Sequence, residues 1–534
     1  VSALGAGVFA PAVVGGFLYD DVHVVIDNRS LRALGQIRTV LAHDPTRPLL
    51  NLTFALNYAL SGLRPWSYHL VNVLLHAANA ALAAALFLWI ARRCGAANPR
   101  RWALVSAALF AVTPMAVETA AYVSSRSTLL ASFFVLAALL LALPSLEGRA
   151  SPRRLGGALA VFGMGLASKE EAASLPVYLL VLDLFFVAGQ RPREVARRYR
   201  IHAPFLALPA LGLLARRAVT DRWLPPPSVE SWRYLLTQAA AFPGYFLRAL
   251  IPVDPAFYRG VPAATWPPGT ATVVGLLACG ALLGAAAFLW RRYSLLAFAV
   301  AWLAAGLLPS SSLVPLKEMV VDHRAYLGGA GALLLLGSWI VVVPRWRVVA
   351  LVLVSLLAAR SIHYEWVLAD PVRAWGDAVR RASASAEAHM GLGEAYAARA
   401  DPRAERELVR SVTLDGRSPR GWANLGALYA ESGRMAEAER VMREATARAP
   451  SDARLHDNLG LILQALGRED DAALEWEAAV RSRPPLAQPR VRLAAVLISR
   501  GDKERARALL EEALRLEYDE EDARAIEALW DRLR

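Results

Sequence analysis

Apolar and polar positions along this chain fall into two regimes. Up to about residue 366, apolar stretches alternate with short arginine clusters; beyond it Arg, Glu and Ala dominate and no apolar run is long enough to span a bilayer. Apolar runs near residues 3–18, 67–90, 102–118, 128–145, 155–168, 172–188, 202–218, 271–290, 293–308, 325–343 and 347–366 predict about eleven membrane helices. Several are shorter than the roughly 20 residues that cross a hydrocarbon core, and must extend into their flanks. One more apolar segment, 232–251, is interrupted by Arg233, Pro243, Gly244 and Arg248.

The arginines orient these helices. Clusters recur at every second connection: Arg92, Arg93, Arg100 and Arg101; Arg149, Arg153 and Arg154; Arg191, Arg193, Arg197, Arg198 and Arg200; Arg291 and Arg292; Arg345 and Arg347. Short basic connections favour the cytoplasmic side. The alternation then works only if 232–251 lies on the other side as an interfacial or re-entrant helix; a full span there puts Arg291 and Arg292 outside. With eleven spans, the connection 19–66 and everything after residue 367 share the non-cytoplasmic side.

After that point the pattern repeats every 34 residues. Trp422, Leu425, Gly426, Gly433 and Pro450 are followed by His456, Leu459, Gly460, Gly467 and Pro484. Leu392, Gly393 and Tyr396 precede Leu425, Gly426 and Tyr429 by 33, and a degenerate copy runs through Leu493, Gly501, Ala506 and Ala513. This is the tetratricopeptide pattern, in which small residues let paired helices approach and stacking buries faces that one repeat cannot. The fold class expected is all-α: a polytopic membrane bundle over 1–366, then a tetratricopeptide α-solenoid over 367–534. A binding role for the repeats' concave surface stands beside a purely scaffolding one.

Composition agrees. Of 534 residues 56% are hydrophobic and 20% charged, and mean hydropathy is +0.34, as in a polytopic membrane protein. The net charge of +13 is better read as positive-inside loops than as a nucleic-acid footprint. Cys94 and Cys279 form neither a disulfide framework nor a metal site, and the sequons at Asn28 and Asn51 read as chance. The sequence begins at Val1 without methionine or a basic flank, so a preceding segment is expected. Its Ala- and Arg-rich composition points to a bacterial source.

Chemistry concentrates at span ends, where charge is expensive unless it faces water or works. Asp20 and Asp21 close the first apolar run and are either a general base or an ordinary polar helix end. His69, Asn72 and His76 fall at helical spacings, a polar face that suits interhelical hydrogen bonding better than a metal. Glu118 to Arg126 lie in one connection, Lys169, Glu170 and Glu171 in another, and Lys317, Glu318, Asp322, His323, Arg324 and Tyr326 in a third. By the topology above all emerge on the same side as Asp20 and Asp21, and acids and bases gathered on one face of an apolar bundle point to a site.

Four stretches carry a resemblance: RPLLNLTFALNYALSGLRPWSYHLVNVLLHAANAAL, TPMAVETAAYVSSRSTLLASFFVLAALLL, SKEEAASLPVYLLVLDLFF and DHRAYL. In this order, with the repeats behind them, the chain resembles the TMTC O-mannosyltransferases and their bacterial relatives, membrane enzymes of the GT-C glycosyltransferase fold. It departs from them at Thr113-Pro114, where the family often has His-Pro, and at Gly328, where it often has Pro after Tyr-Leu.

The resemblance implies a sugar donor linked to a polyprenyl phosphate, no further cofactor and no metal, and an acceptor polypeptide held by the repeats. It implies an acidic residue in the first outer loop, matched by Asp20 and Asp21, with Asp21 favoured as the base and Asp20 orienting it. Lys169, Arg324 and His323, with Arg126 behind them, would meet the charge on the leaving phosphate; Glu118, Glu170, Asp322, Tyr326, His69 and Asn72 would support them. The competing expectations are transfer to a cell-envelope glycan or lipid, and a non-catalytic membrane-anchored repeat scaffold. The place implied is a bacterial inner membrane, with site and repeats on the periplasmic side.

Overall fold

A computed structural model of the chain describes all residues except 33, 150, 221–228, 312–314, 317, 484, 517–519 and 534. It divides into two units, Val1–Ala374 and Trp375–Arg534. The division falls eight residues beyond the boundary expected from composition. Among the described residues the regular elements are helices, and one β-bridge joins Asp452 and Arg483.

The first unit contains α1 (Ser2–Phe9), α2 (Ile37–His43), α3 (Pro48–Ser61), α4 (Trp66–Arg93), α5 (Pro99–Val112), α6 (Val117–Ala121), α7 (Arg126–Leu146) and α8 (Pro152–Leu166). It continues with α9 (Leu175–Leu182), α10 (Pro192–Arg197), α11 (Tyr199–Thr220), α12 (Ser231–Leu250), α13 (Thr270–Leu289), α14 (Ser294–Leu307), α15 (Ala330–Ile340) and α16 (Trp346–Leu368). Proline opens α3, α5, α8 and α10, because its fixed φ suits a first turn and its missing N–H is an orphan there anyway. Pro114 does the opposite for α5. The pre-proline residue Thr113 is extended at φ −61° and ψ 130°, as the ring of a following proline demands, so the helix stops and resumes at an angle of 47°.

Every expected apolar run is met by helix, but the count of eleven spans is not reached by length and composition alone. Four helices suffice unaided, namely α4, Val123–Leu146, α13 and α16, and the bent pair around Pro114 makes a fifth. Ser2–Val14, α14 and α15 are apolar but shorter. The run 172–188 is split between a 3-10 turn, α9 and a π-helical turn at Asp183–Val187, and α11 contains Pro204 and Pro209.

The arginine-bearing connections gather at one end of the unit. Arg93 pairs with Glu147 at 2.9 Å, Arg101 lies 5.7 Å from the Trp346 ring, Trp89 meets Phe186 edge-on, and Gln190 donates to the carbonyl of Trp290 at 3.0 Å. The connections bearing the acids and the remaining bases meet at the other end.

The second unit stacks helical pairs: Ala386–Ala397 with Arg403–Leu414, Pro419–Glu431 with Met435–Arg448, Ala453–Ala465 with Glu469–Arg481, and Ala487–Ser499 with Lys503–Ala513, before Glu520–Leu533. The glycines of the repeat motif explain the pairing distance. A Cβ on Gly426 would sit 2.5 Å from the sulfur of Met442, and one on Gly460 2.5 Å from Nε1 of Trp476. Leu425, Tyr429, Leu459, Leu463 and Trp476 fill the core between successive pairs.

Candidate active site

The two adjacent aspartates of the first connection have opposite environments. Asp21 is fully buried, and its carboxylate accepts from the backbone N–H of Leu18 at 3.0 Å, from that of Ser124 at 2.7 Å and from the Ser124 hydroxyl. Burial outweighs these bonds and pushes the Asp21 carboxyl up to about 7. Asp20 is exposed, and its backbone N–H donates to the hydroxyl of Tyr122 at 2.8 Å. Tyr19 before it holds φ at +51°, a strained value for a residue with a Cβ, and its hydroxyl donates to Glu318 at 3.4 Å.

The break after Pro114 presents Glu118. Its carboxylate lies 2.6 Å from Nδ1 of His323 and also accepts that residue's backbone N–H at 3.2 Å. Burial, reinforced by the positive charges of Lys169 and Arg324, pushes the His323 ring down to about 3, so at neutral pH it works as an uncharged hydrogen-bonding group. Lys169 is buried and bridges Thr128 at 2.8 Å and Glu171 at 3.0 Å. Arg324 is buried, with bonds to the carbonyls of Glu318 at 2.8 Å and Met319 at 3.2 Å and to the Tyr234 hydroxyl at 3.4 Å. Among the described residues it pairs with no carboxylate. Thr128, Glu171, Tyr178 and Arg324 line a cavity of about 20 Å³, the size of one water.

The gathering expected from the sequence is present: Asp20, Asp21, Glu118, Lys169, Glu170, Asp322, His323 and Arg324 stand at one end. Their individual assignments need correcting. Arg126 is fully buried and spends its guanidinium on Asn72 at 2.9 Å, Asn57 at 2.5 Å and the Tyr68 carbonyl at 2.8 Å, over the Phe54 ring. It pins the connection to α3 and α4 and is closed to a phosphate. Asn72 serves that pin and donates to the Tyr122 carbonyl at 3.0 Å. Tyr326 is an interior residue, 2.8 Å from His76, and His69 is buried against Gly15. Glu170 turns outward to Arg47 at 3.0 Å; it is Glu171 that holds Lys169. Asp322 accepts from Arg259 at 2.8 and 2.6 Å and from the Ala256 N–H at 3.1 Å. Lys317 lies outside the described residues.

Sequence reasoning passed over Arg259 and the polar face of α12, and gave Arg47 no partner. That face carries Tyr234, whose hydroxyl donates to the carbonyl of Ser310, Gln238, which donates to that of Met319 at 2.6 Å, and Tyr245, which donates to that of Val321 at 3.2 Å. Arg248 follows, 3.4 Å from Asp322. Together they cradle the turn bearing His323 and Arg324. The signal was a polar residue every turn or so in the one apolar segment that failed as a span.

Comparison with known proteins places this site in context. Residues 43–214 match the family model "Dolichyl-phosphate-mannose-protein mannosyltransferase", and residues 419–452 match "Tetratricopeptide repeat". The first match includes Glu118, Arg126, Lys169 and Glu170 but neither Asp20 and Asp21 nor the 322–326 turn. The protein O-mannosyl-transferase TMTC3 of Mus musculus is 37% identical over 138 residues, 23% of this chain and 14% of that protein. TMTC2 of Homo sapiens is 32% identical over 202 residues, 34% of this chain and 23% of that protein. The chain thus aligns with less than a quarter of the length of either. A solved structure of pilF from Pseudomonas aeruginosa is 22% identical, covers 30% of this chain and 75% of that one, and has a TM-score of 0.26. In its matched membrane region and the repeat behind it, the chain is similar to the TMTC protein O-mannosyl-transferases.

Proposed function

We propose that the chain is a membrane glycosyltransferase that moves a hexose, mannose first among them, from a polyprenyl-phosphate donor to a hydroxyl of a protein acceptor. The place proposed is the periplasmic side of a bacterial inner membrane. The observation that carries this reading is the pairing of an exposed Asp20 with a locked Asp21 at the end where Lys169 and Arg324 also stand. The relatives' O-mannosyl-transferase names supply the sugar.

The roles proposed for the aspartates are the reverse of those first expected. Asp21 has its oxygens occupied by Leu18 and Ser124 and acts as the post on which the loop hangs. Asp20 faces solvent and is the base. An acceptor hydroxyl is a poor nucleophile at neutral pH, so Asp20 takes its proton as the oxygen bonds to the anomeric carbon. The bond between that carbon and the phosphate oxygen breaks in the same displacement, and the lipid phosphate leaves with the electron pair. Its developing charge falls to Arg324, a buried guanidinium without a carboxylate partner among the described residues, and to Lys169. Neutral His323, held by Glu118, adds a hydrogen bond but no charge. The repeats present the acceptor polypeptide.

The test uses the full chain in nanodiscs with polyprenyl-phosphate-mannose and a pool of bacterial periplasmic proteins, read by mass spectrometry. Wild type adds hexose to Ser or Thr and Asp20→Asn does not. Equal transfer by both would overturn the mechanism, and transfer only to glycan or lipid would replace the acceptor.

A further inference from the structure

The helix α12 belongs to neither regime of the chain. Its inner face is tied to Ser310, Met319, Val321 and Asp322. Near its start Tyr234 bonds to Ser310 and Arg233 to the carbonyl of Ala264 at 2.7 Å. Near its end Tyr245 bonds to Val321, Arg248 approaches Asp322, and a Cβ on Gly329 would lie 3.3 Å from Ala249. Ser310 follows the end of α14 and Gly329 precedes α15. Both ends of α12 are therefore fastened at the same end of the bundle, which a crossing helix of 20 residues, about 30 Å long, does not do.

Away from that inner face its ends expose apolar side chains that continue into the following residues, while Ala240 between them packs against Gly275 of α13. Trp232 is 46% exposed, Leu247 57%, Ile251 53% and Val253 58%. The connection that follows adds Trp266, 76% exposed, edge-on to Trp232 with ring centroids 6.5 Å apart. Four residues later α13 begins, an apolar helix long enough to cross a bilayer, with Gly275 against α12, Cys279 and Ala286 buried, and most of its other residues exposed. Such a helix needs hydrocarbon around it. Trp266 then stands at the headgroup level, where tryptophan's amphipathic ring is favoured.

We propose that α12 and the connection 251–269 form a membrane-surface anchor. The helix lies in the headgroup–acyl boundary on the Asp20 side, with Trp232, Leu247, Ile251 and Trp266 in lipid. Its inner face then fixes the depth of the His323–Arg324 turn through Tyr234, Gln238 and Tyr245. This holds whether or not the chain transfers sugar. The occupant is a lipid surface because the exposed face is continuous with a lipid-facing span.

Spin labels at positions 235, 247, 251 and 266, placed one at a time in a chain with Cys94→Ser and Cys279→Ser, are measured in nanodiscs by oxygen and nickel accessibility. Labels at 274 and 288 of α13 calibrate depth, being about 21 Å apart along the helix. The expected result is a common shallow depth at 235, 247, 251 and 266, more accessible to oxygen than to the nickel reagent. A depth that grows steadily from 235 to 251 would mean a span, and nickel accessibility at all four would mean an aqueous face; either overturns the proposal. Native circular dichroism for each labelled chain is the condition for counting its depth.

Discussion

Polar side chains are used in opposite ways by the two units. In the membrane unit they join segments remote in sequence: Tyr19 and Glu318 are 299 residues apart, Glu118 and His323 205, Arg47 and Glu170 123, Arg259 and Asp322 63. In the repeat unit they stay local. Arg434 reaches Glu437 three residues on and Glu405 29 back; Arg468 reaches Asp471 and Glu439 at the same intervals. The repeats add stability pair by pair, so a defect there stays where it is made. The membrane unit holds its site by a few long-range ties, so a defect there spreads.

The largest effect separates chemistry from architecture. Asp20 is exposed, so Asp20→Asn should leave the fold intact while sugar transfer falls by about 10²–10⁴-fold, the usual contribution of a positioned base. Steady-state transfer beside a thermal melt in nanodiscs reads both quantities. A melt that falls along with the rate would place Asp20 in the scaffold with Asp21.

Cutting a long-range tie comes next. Asp322 is 2% exposed and faces two arginines. Removing one partner of a buried pair typically costs about 3–5 kcal/mol, because the other charge is stranded. Asp322→Ala should destabilise the membrane unit on that scale, and Arg259→Ala less, since Arg248 stays beside the carboxylate. Equal losses would show that the pair, and not the stranded charge, is what counts.

The tie at Asp21 is sensitive to pH. Its carboxyl lies higher in the fold, at about 7, than the ordinary value of 3.8, so the folded state binds the proton more tightly than the unfolded one. The resulting stability is fully present below pH 4 and declines as pH rises towards 7, by at most about 1.4 kcal/mol per pH unit. Melts from pH 4 to 8 should show a slope in wild type that Asp21→Asn lacks. An unchanged slope in the variant would assign the titration to another group.

How far each region was legible follows from the same contrast. Gly426 and Gly460 could be read because one physical demand, close approach of paired helices, recurs every 34 residues. The gathering of Asp20, Glu118, Lys169 and His323 at one end was legible through the alternation of apolar runs and arginines. Their partners were not. Nothing local marks Arg259 as the residue that answers Asp322, or distinguishes Asp20 from Asp21, since that depends on which one meets Ser124. Arg126 looked like a ligand because it is a cation near a boundary, and only packing shows its donors spent within α3 and α4. The span count is not decided by length and composition for a related reason, since helices covered by neighbours need not each satisfy the length rule for a lone one.

A defect placed inside the repeats should be smaller and confined. Gly460→Ala puts a methyl group 2.5 Å from the indole nitrogen of Trp476, and overpacking of this kind typically costs about 1–3 kcal/mol. Hydrogen exchange should quicken in the helices around Trp476 and leave the membrane unit unchanged. Loss of protection throughout the first unit would mean that the two share one cooperative transition.

The smallest effect runs the other way. Gly433, Gly467 and Gly501 close successive first helices with φ of +74°, +75° and +85°, and the corresponding place in the first repeat is Ala400 at +52°. A residue with a Cβ pays roughly 1–2 kcal/mol in this left-handed region, while glycine there loses more chain entropy on folding, about 0.4–1 kcal/mol. Ala400→Gly should therefore stabilise the first repeat by about 0.5–1 kcal/mol. Ala400 is exposed at the turn, so the substitution removes no core contact and tests the backbone alone. Denaturant unfolding of the full chain, followed by exchange at Ala386–Leu414, reads the change where it is made. A loss of stability would show that this repeat's turn is held by its neighbours, and that even the periodic unit carries one position answering to more than its own period.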